Sequence, residues 1–280
     1  MNDRAHPVVV VTGASSGIGA AAAVELAEGG ATVVPVARDS ERLAKVAARV
    51  GGESLSADFA SLEQVRRLAR ELLERHPRID VLVNNAGLVM DRRVLTEDGY
   101  EMTFAVNHLA PFLLTNLLLD RLRVSAPARV VTTSSGAHGG GRLDFDDLQG
   151  ERSWSMMRAY GTSKLANILF TRGLAMRVDA GEVTANCLHP GVVNTKLGRG
   201  AGRLAGLAWT LGRPFFRSPR RGASTIVYLA TSEEGGEVTG GYYENSRPVG
   251  TSAAAADLDL ADRLWRESER MVGLTPGGSG

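Results

Sequence analysis

Tyr160 and Lys164 stand four residues apart at the start of an apolar segment that runs to Phe170. If this segment is helical, residues four apart share one face, so the phenol and the ammonium point the same way. A free tyrosine titrates near ~10, and a close cation lowers that value toward the range useful for proton transfer. The spacing predicts a proton-transfer pair, and an ordinary surface Tyr and Lys on an amphipathic helix is the alternative.

A glycine-rich segment follows the first apolar run of the chain. Residues 8–11 are all valine, which is typical of a parallel strand buried on both faces. Residues 12–19 read Thr-Gly-Ala-Ser-Ser-Gly-Ile-Gly and lead into a helix-forming run. Glycine lets a diphosphate approach the backbone, and a helix N-terminus offers unpaired N–H groups. The segment predicts a diphosphate site, with a purely structural turn as the alternative, since three residues separate its first two glycines.

Arg38 follows the second predicted strand, residues 31–37. In dinucleotide-binding folds an acidic residue near this point accepts the ribose 2′-hydroxyl of NAD, whereas an arginine pairs with the 2′-phosphate of NADP. Arg38 therefore predicts NADP(H) in preference to NAD(H). The alternative is a solvated charge beside Asp39, ahead of a helix over Ser40–Val50.

Polar side chains stand where further predicted strands end. Asn84 follows the strand at residues 79–83, and Ser134 and Ser135 follow the strand at residues 129–133. Open parallel sheets bind ligands at the carboxyl ends of their strands, so we expect these side chains to border the site. A turn-forming role is the alternative for the serines.

Pro111 interrupts residues 99–123, which otherwise predict one long helix. Proline lacks the N–H that would bond the carbonyl of Asn107, four residues back. The freed carbonyl is able to hold a water, and a simple helix bend is the alternative.

Strands and helices alternate along the chain, which predicts an α/β fold: a doubly wound, Rossmann-type parallel sheet of about seven strands flanked by helices. Ser61 is the expected N-cap of a helix at residues 61–75, with Gln64 completing a capping box. With 44% hydrophobic residues, the chain has enough apolar surface for a single domain over residues 1–280. We expect a flexible tail at about residues 275–280.

Composition excludes several classes of protein. The 32 basic residues nearly balance the 31 acidic ones, which argues against a nucleic-acid partner. The single Cys187 excludes an internal disulfide framework. Near His189 only Cys187 could serve as a second ligand, so we predict no metal site. The apolar runs are too short or too interrupted for a signal segment or a membrane span, and the expected location is the cytoplasm.

Residues 197–221 mix apolar and arginine side chains after a predicted strand. We favour a lid over an apolar substrate, and an amphipathic patch on a membrane surface is the alternative. The long segment 136–159 between Ser135 and Tyr160 is a further candidate functional loop.

Taken together and in order, these motifs resemble the short-chain dehydrogenase/reductase family over nearly the whole chain. The motifs are residues 12–19, 84–87, Asn107, Ser135, Tyr160 to Lys164 and residues 190–195. Residues 189–193, residues 163–167, the long segment before Tyr160 and the Leu264-Trp265 pair further resemble the retinol dehydrogenase-like branch.

This resemblance implies roles for single residues. Tyr160 is the general acid/base, Ser135 donates to the reacting oxygen, and Lys164 bonds the nicotinamide ribose while lowering the pKa of the tyrosine. Asn107 holds a water of the proton relay, and Ser134 is the alternative to Ser135. The implied cofactor-binding residues are Gly13, Ser15, Ser16, Gly17, Ile18 and Gly19 at the diphosphate, Asp58 and Phe59 at the adenine, Asn84, Ala86 and Gly87 near the adjacent ribose, and Pro190, Gly191, Val193 and Thr195 near the nicotinamide.

The expectation is an NADP(H)-dependent oxidoreductase that interconverts a carbonyl and an alcohol on an apolar small molecule. The alternative is a protein of the same fold that binds NADP and regulates a partner without turnover. The resemblance also suggests a homodimer or homotetramer, paired through the helices that contain Gly99 and Tyr160.

Overall fold

The computed structural model describes residues 6–191 and 218–275. Within these ranges eight strands form one sheet in the order β3-β2-β1-β4-β5-β6-β7-β8. All neighbouring pairs are parallel except β7 and β8. The strands are β1 Val8–Thr12, β2 Thr32–Ala37, β3 Leu55–Ser56, β4 Val81–Asn84, β5 Ala128–Thr133, β6 Val183–His189, β7 Tyr242–Glu244 and β8 Arg247–Pro248. The predicted doubly wound α/β sheet is confirmed, with one strand more than expected.

The eighth strand comes from a tight hairpin at the sheet edge. Asn245 and Ser246 join β7 to β8 and have φ values of 54° and 59°. Two central residues with positive φ are the mark of a type I′ turn, which matches the twist of the strands it connects.

Helices cover both faces of the sheet. On one face α1 (Gly17–Glu28), α2 (Ser40–Val50) and α7 (Pro219–Thr231) enclose one apolar cluster. On the other face, four helices enclose a larger cluster. They are α3 (Leu62–Arg75), α5 (Ala110–Val124), α6 (Met156–Ala175) and α10 (Leu258–Val272). Three short helices complete the set in the described part of the chain: α4 (Met102–Phe104), α8 (Glu233–Glu237) and α9 (Ala253–Ala256).

The single long helix predicted for residues 99–123 is wrong in detail. Between α4 and α5 the backbone forms a π turn over Ala105–Leu109, and Pro111 lies in the first turn of α5. Because proline cannot donate to the carbonyl four residues back, the regular hydrogen-bond ladder cannot continue through this point. The interruption is real, and its form is a widened turn that contains Asn107.

Ser61 caps α3 as predicted, but the reciprocal half of the capping box is absent. Ser61 Oγ accepts from the N–H of Gln64 at 3.4 Å, whereas the Gln64 side chain accepts from the N–H of Asp58 at 3.0 Å. The N–H of Ser61 bonds the Asp58 carbonyl instead. Gln64 therefore braces the loop that carries Asp58.

One helical stretch within the described residues, Met102–Val124, is long and apolar enough to cross a membrane. Its apolar window is 83% buried in the fold. This burial is what a core helix of the sheet requires.

Candidate active site

The carboxyl ends of β1, β2, β4, β5 and β6 meet at one edge of the sheet. The strand order reverses between β1 and β4, which is where doubly wound sheets bind ligands. This edge carries the glycine-rich segment, Arg38, Asn84 and Ser135, so the fold gathers the predicted site residues on one side of the molecule.

The glycines of the first turn permit a close approach of backbone to backbone. Gly13 has a φ of +68°, and a Cβ added to it would lie 2.8 Å from Ala86 Cα. A Cβ added to Gly19 would lie 2.4 Å from the Asn85 side chain. Any larger residue at Gly13 or Gly19 would push the β1 turn away from β4.

The N-terminus of α1 is open to an anion. Ser16 occupies the N-cap position, but its side chain makes no capping hydrogen bond. No acidic residue lies in the first turn of the helix. Backbone N–H groups and the helix dipole therefore favour a diphosphate here, and the turn fits the dinucleotide that the sequence predicts.

Thr12 joins the two strands on either side of the reversal point. Its hydroxyl donates to the Val83 carbonyl at 3.1 Å and accepts from the N–H groups of Asn85 and Ala86 at 3.0 and 3.1 Å. The sequence pattern gave no sign of this role, because the partners lie more than seventy residues away.

Arg38 stands at the end of β2 with a side chain that is 75% exposed and pairs with Asp58 at 3.5 Å. The neighbouring Asp39 caps α2, where it accepts from the N–H of Arg42 at 2.9 Å and from Arg42 Nε at 2.5 Å. Asp39, the only acidic residue next to Arg38 in sequence, is thus already hydrogen-bonded to Arg42 of α2. The Phe59 side chain packs in the core.

Asn84 is turned away from the glycine segment. Its amide nitrogen donates to Thr115 Oγ1 on α5 at 2.9 Å, and the residue is only 3% exposed. The side chain therefore ties the sheet to α5.

Ser135, and not Ser134, faces Tyr160. Ser134 is buried and donates to the Lys164 carbonyl at 2.7 Å. Ser135 accepts from the N–H of Ala137 at 3.2 Å, and its side chain lies close enough to Tyr160 to lower the pKa of the phenol against the effect of burial. A serine hydroxyl that accepts a hydrogen bond through its oxygen still has its proton to donate. Ser135 is therefore able to donate to an oxygen in the site.

Lys164 lies under Tyr160, with its ammonium 5.7 Å from the centre of the phenol ring. Its Nζ donates to the Thr133 carbonyl at 3.1 Å. Burial lowers the pKa of Lys164 to about 8. Burial also raises the pKa of Tyr160, and the neighbouring Ser135 side chain opposes this rise. The lowering expected from Lys164 does not contribute to this shift, since the ammonium faces the ring and the Thr133 carbonyl.

Asn107 connects the π turn to α6. Its side chain accepts from the N–H of Leu88 at 2.8 Å and donates to the Leu88 carbonyl and to Ser163 Oγ, both at 3.0 Å. Ser163 in turn donates to the Tyr160 carbonyl at 2.8 Å.

A Cβ on Gly87 would lie 3.2 Å from Asn107 Oδ1 and 3.6 Å from Lys164 Nζ. Gly87 therefore leaves open the space between these two groups.

The remaining predicted site residues follow β6 in sequence. Pro190 and Gly191 close the first described range, and Gly191 has a φ of +80°. Val193, Thr195, most of the predicted lid and the last five residues of the tail lie outside the described residues. Within residues 6–191 and 218–275, no group of three His, Cys, Asp or Glu side chains is arranged to hold a metal.

A glycine-rich turn at the reversal point of a doubly wound sheet, beside the half-buried Ser135 and Tyr160 and the buried Lys164, is the arrangement of a nicotinamide dinucleotide-dependent oxidoreductase. The short chain dehydrogenase family model matches residues 7–203, and the chain belongs to this family.

Relatives narrow the assignment. Human retinol dehydrogenase 13 is 44% identical over 280 residues, covering 95% of this chain and 84% of its own. The "Putative daunorubicin C-13 ketoreductase DnrU" of Streptomyces sp. (strain C5) is 46% identical, covering 95% and 93%. The Pseudomonas aeruginosa RhlG/NADP active-site complex has a TM-score of 0.68 and 31% identity, covering 85% and 94%. The retinol dehydrogenase-like branch is confirmed, as is an oxidoreductase acting on CH–OH groups.

Proposed function

We propose that this protein is an NADP(H)-dependent oxidoreductase that interconverts a carbonyl and an alcohol on an apolar small molecule, with Tyr160 as general acid/base. One observation carries the proposal. Tyr160 lies beside Ser135, whose side chain lowers the pKa of the phenol, and its ring lies 5.7 Å from the Lys164 ammonium, at the sheet edge that holds the glycine turn.

The chemistry follows from these side chains. A bound nicotinamide dinucleotide supplies or accepts the hydride. In the reducing direction Tyr160 Oη gives a proton to the substrate oxygen, and in the oxidising direction it takes that proton back. Ser135 donates a hydrogen bond to the same oxygen and stabilises its developing charge. The Lys164 ammonium favours the phenolate that remains on Tyr160.

Asn107 belongs to the path that resupplies the proton. Its side-chain amide is engaged by Leu88 and Ser163. We therefore assign the relay water to its main-chain carbonyl, opposite which Pro111 offers no N–H.

Arg38 supports NADP(H) over NAD(H). Its exposed guanidinium stands at the end of β2, while Asp39 is engaged by Arg42. A guanidinium matches the geometry of a phosphate, so the 2′-phosphate of NADP is the group that this position suits. The NADP complex of the Pseudomonas aeruginosa relative is consistent with this assignment.

The names of the relatives support an apolar substrate, since retinol and daunorubicin are both large molecules with extended apolar parts. We assign residues 197–221 to the substrate cover and the protein to the cytoplasm, where it forms a homodimer or homotetramer. For residues 197–221, contact with a membrane surface remains the alternative.

A panel of apolar aldehydes and ketones tests the proposal. We expect NADPH to bind tightly in a fluorescence titration and to be oxidised with at least one compound, at a higher kcat/KM than NADH. A higher kcat/KM with NADH would refute the cofactor assignment. Tight binding with no turnover across the panel would refute the enzymatic role and leave a nucleotide-binding regulator.

A further inference from the structure

His138 lies directly behind Ser135. It belongs to the short 3-10 turn Gly136–Gly140 that Ser135 begins, and it is 8% exposed. Its Nδ1 lies 2.9 Å from the Ser135 carbonyl, which also accepts the backbone N–H of His138 at 3.1 Å. The carbonyl of the serine is therefore held twice by one residue.

The hydrogen-bond partners of the ring fix its tautomer. The N–H of Ser252 points at His138 Nε2 at 3.3 Å. A backbone N–H only donates, so Nε2 accepts, and the Ser135 carbonyl only accepts, so Nδ1 carries the proton. The neutral Nδ1–H form alone satisfies both contacts.

The ring is also braced from the side. It packs edge-on against Tyr242 of β7, with ring centres 5.1 Å apart. Ser252 is the N-cap of α9 and is tied to it through the N–H of Ala255. His138 thus connects the Ser135 turn to two elements from the C-terminal part of the chain.

Such a restraint matters because the turn itself is weak. A five-residue 3-10 turn has few internal bonds and poor hydrogen-bond geometry. Ser135 must nevertheless aim its hydroxyl at the atom shared with Tyr160, and a misplacement of about 1 Å is able to cost roughly a hundredfold in rate.

We propose that His138 is a positioning residue: its Nδ1–H tautomer, selected by Ser252, holds the Ser135 carbonyl so that the Ser135 hydroxyl meets Tyr160 and the substrate oxygen. This inference rests on the proposed function. It assigns no contact between His138 and the substrate, so its loss acts on the rate and leaves nucleotide binding intact.

Two substitutions at His138 separate the hydrogen bond from the packing. His138→Phe keeps a ring against Tyr242 but removes both bonds, and we expect kcat to fall about 10- to 100-fold. The Kd for NADPH and the substrate KM should stay within about twofold of the wild-type values. His138→Asn places an amide N–H near the Nδ1 position, and it should restore kcat to within about threefold.

A second pair of variants tests the tautomer without changing the ring. Ser252 has a φ of −62°, which proline adopts without strain, so Ser252→Pro removes the N–H donor. Ser252→Ala keeps that N–H and removes only the helix cap. We expect Ser252→Pro to have the lower kcat of the two, and a long-range proton–nitrogen spectrum of the wild type should show the proton on Nδ1 of His138.

Ser135→Ala, measured alongside, distinguishes a failure of this inference from a failure of the proposed function. If it is inactive while His138→Phe and Ser252→Pro keep full kcat, this inference fails and the proposed function stands. If Ser135→Ala itself keeps full kcat, the proposed role of Ser135 fails, and the inference fails with it. The inference is also overturned if His138→Phe loses kcat, His138→Asn does not restore it, and Ser252→Pro and Ser252→Ala have the same kcat.

Discussion

The ammonium nitrogen of Lys164 lies 5.7 Å from the centre of the Tyr160 ring, one turn further along the same helix. Lys164 is buried and Tyr160 is half-buried, and the loss of surrounding water disfavours the charged form of each. The resting pair is therefore a neutral phenol above an ammonium whose charge is lost only slightly above neutral pH. The pH dependence of turnover should report this arrangement.

We predict that carbonyl reduction weakens above pH 8. The pKa of Lys164 is lowered to about 8, so the ammonium is complete well below that pH and is lost above it. Without it the phenolate left on Tyr160 is unsupported, and kcat/KM should fall up to about tenfold per pH unit. In Lys164→Arg, which stays charged, the break in the pH profile should move upward. An unmoved break in this variant would assign the titration to another group.

Gly141 and Gly161 set the distance between the Ser135 turn and the Tyr160 helix. A Cβ on Gly141 would lie 2.3 Å from the Gly161 carbonyl, although the φ of Gly141, −75°, suits alanine. Gly141→Ala should therefore push the turn from α6, lowering the free energy of unfolding by about 1–3 kcal/mol and reducing kcat. Gly139→Ala is the matched control, since nothing lies within 4 Å of its added Cβ. Equal unfolding midpoints and rates in the two variants would refute this spacing role.

Arg38→Ser should change cofactor preference. Losing a charged hydrogen-bond donor to a phosphate costs about 1.5–3 kcal/mol, which is roughly a 10- to 150-fold fall in kcat/KM with NADPH. Turnover with NADH should change little. Arg49→Ser, an exposed arginine in the last turn of α2, controls for general charge effects. An equal fall with both cofactors would mean that Arg38 does not read the 2′-phosphate.

His108 should make the fold sensitive to acid. It is fully buried among Phe104, Phe112 and Phe170, and burial lowers its pKa to about 3. In the unfolded chain the His108 side chain binds a proton as the pH falls through about 6.5, whereas in the folded protein it does so only near pH 3. Stability is therefore complete above ~6.5 and falls as the pH drops toward 3, by up to about 1.4 kcal/mol per pH unit.

Urea unfolding between pH 7 and pH 5 measures this slope. His108→Gln retains a group able to reach Ser268, which bonds His108 Nε2 at 2.8 Å, and it should flatten the slope. His6→Gln, at an exposed position, should leave the slope unchanged. A wild-type slope in His108→Gln would mean that other groups cause the acid sensitivity.

Local patterns predicted the elements that carry the site. The valines of β1, the capping serine of α3 and the amphipathic helix Leu258–Val272 are all set by neighbours in sequence, so periodicity and cap chemistry identified them. The four-residue spacing of Tyr160 and Lys164 also survived, because α6 is regular there.

Contacts between distant segments were beyond such patterns. Thr12 reaches the backbone of Asn85, and the ring of His138 meets Ser252, more than a hundred residues away. The choice between Ser134 and Ser135 likewise depends on how α6 packs over β5. Nothing in the local sequence encodes these partners, since they arise only when the sheet order is known.

The most direct test of the central claim is Tyr160→Phe. We predict that this variant binds NADPH within a few-fold of the wild-type Kd and loses at least about 10²-fold in kcat on any substrate of the wild type. Tyr228→Phe, which lies on α7 against Tyr243, is the control and should retain turnover. Turnover by Tyr160→Phe comparable to the wild type, with NADPH still bound, would contradict the assignment of Tyr160 as the general acid/base.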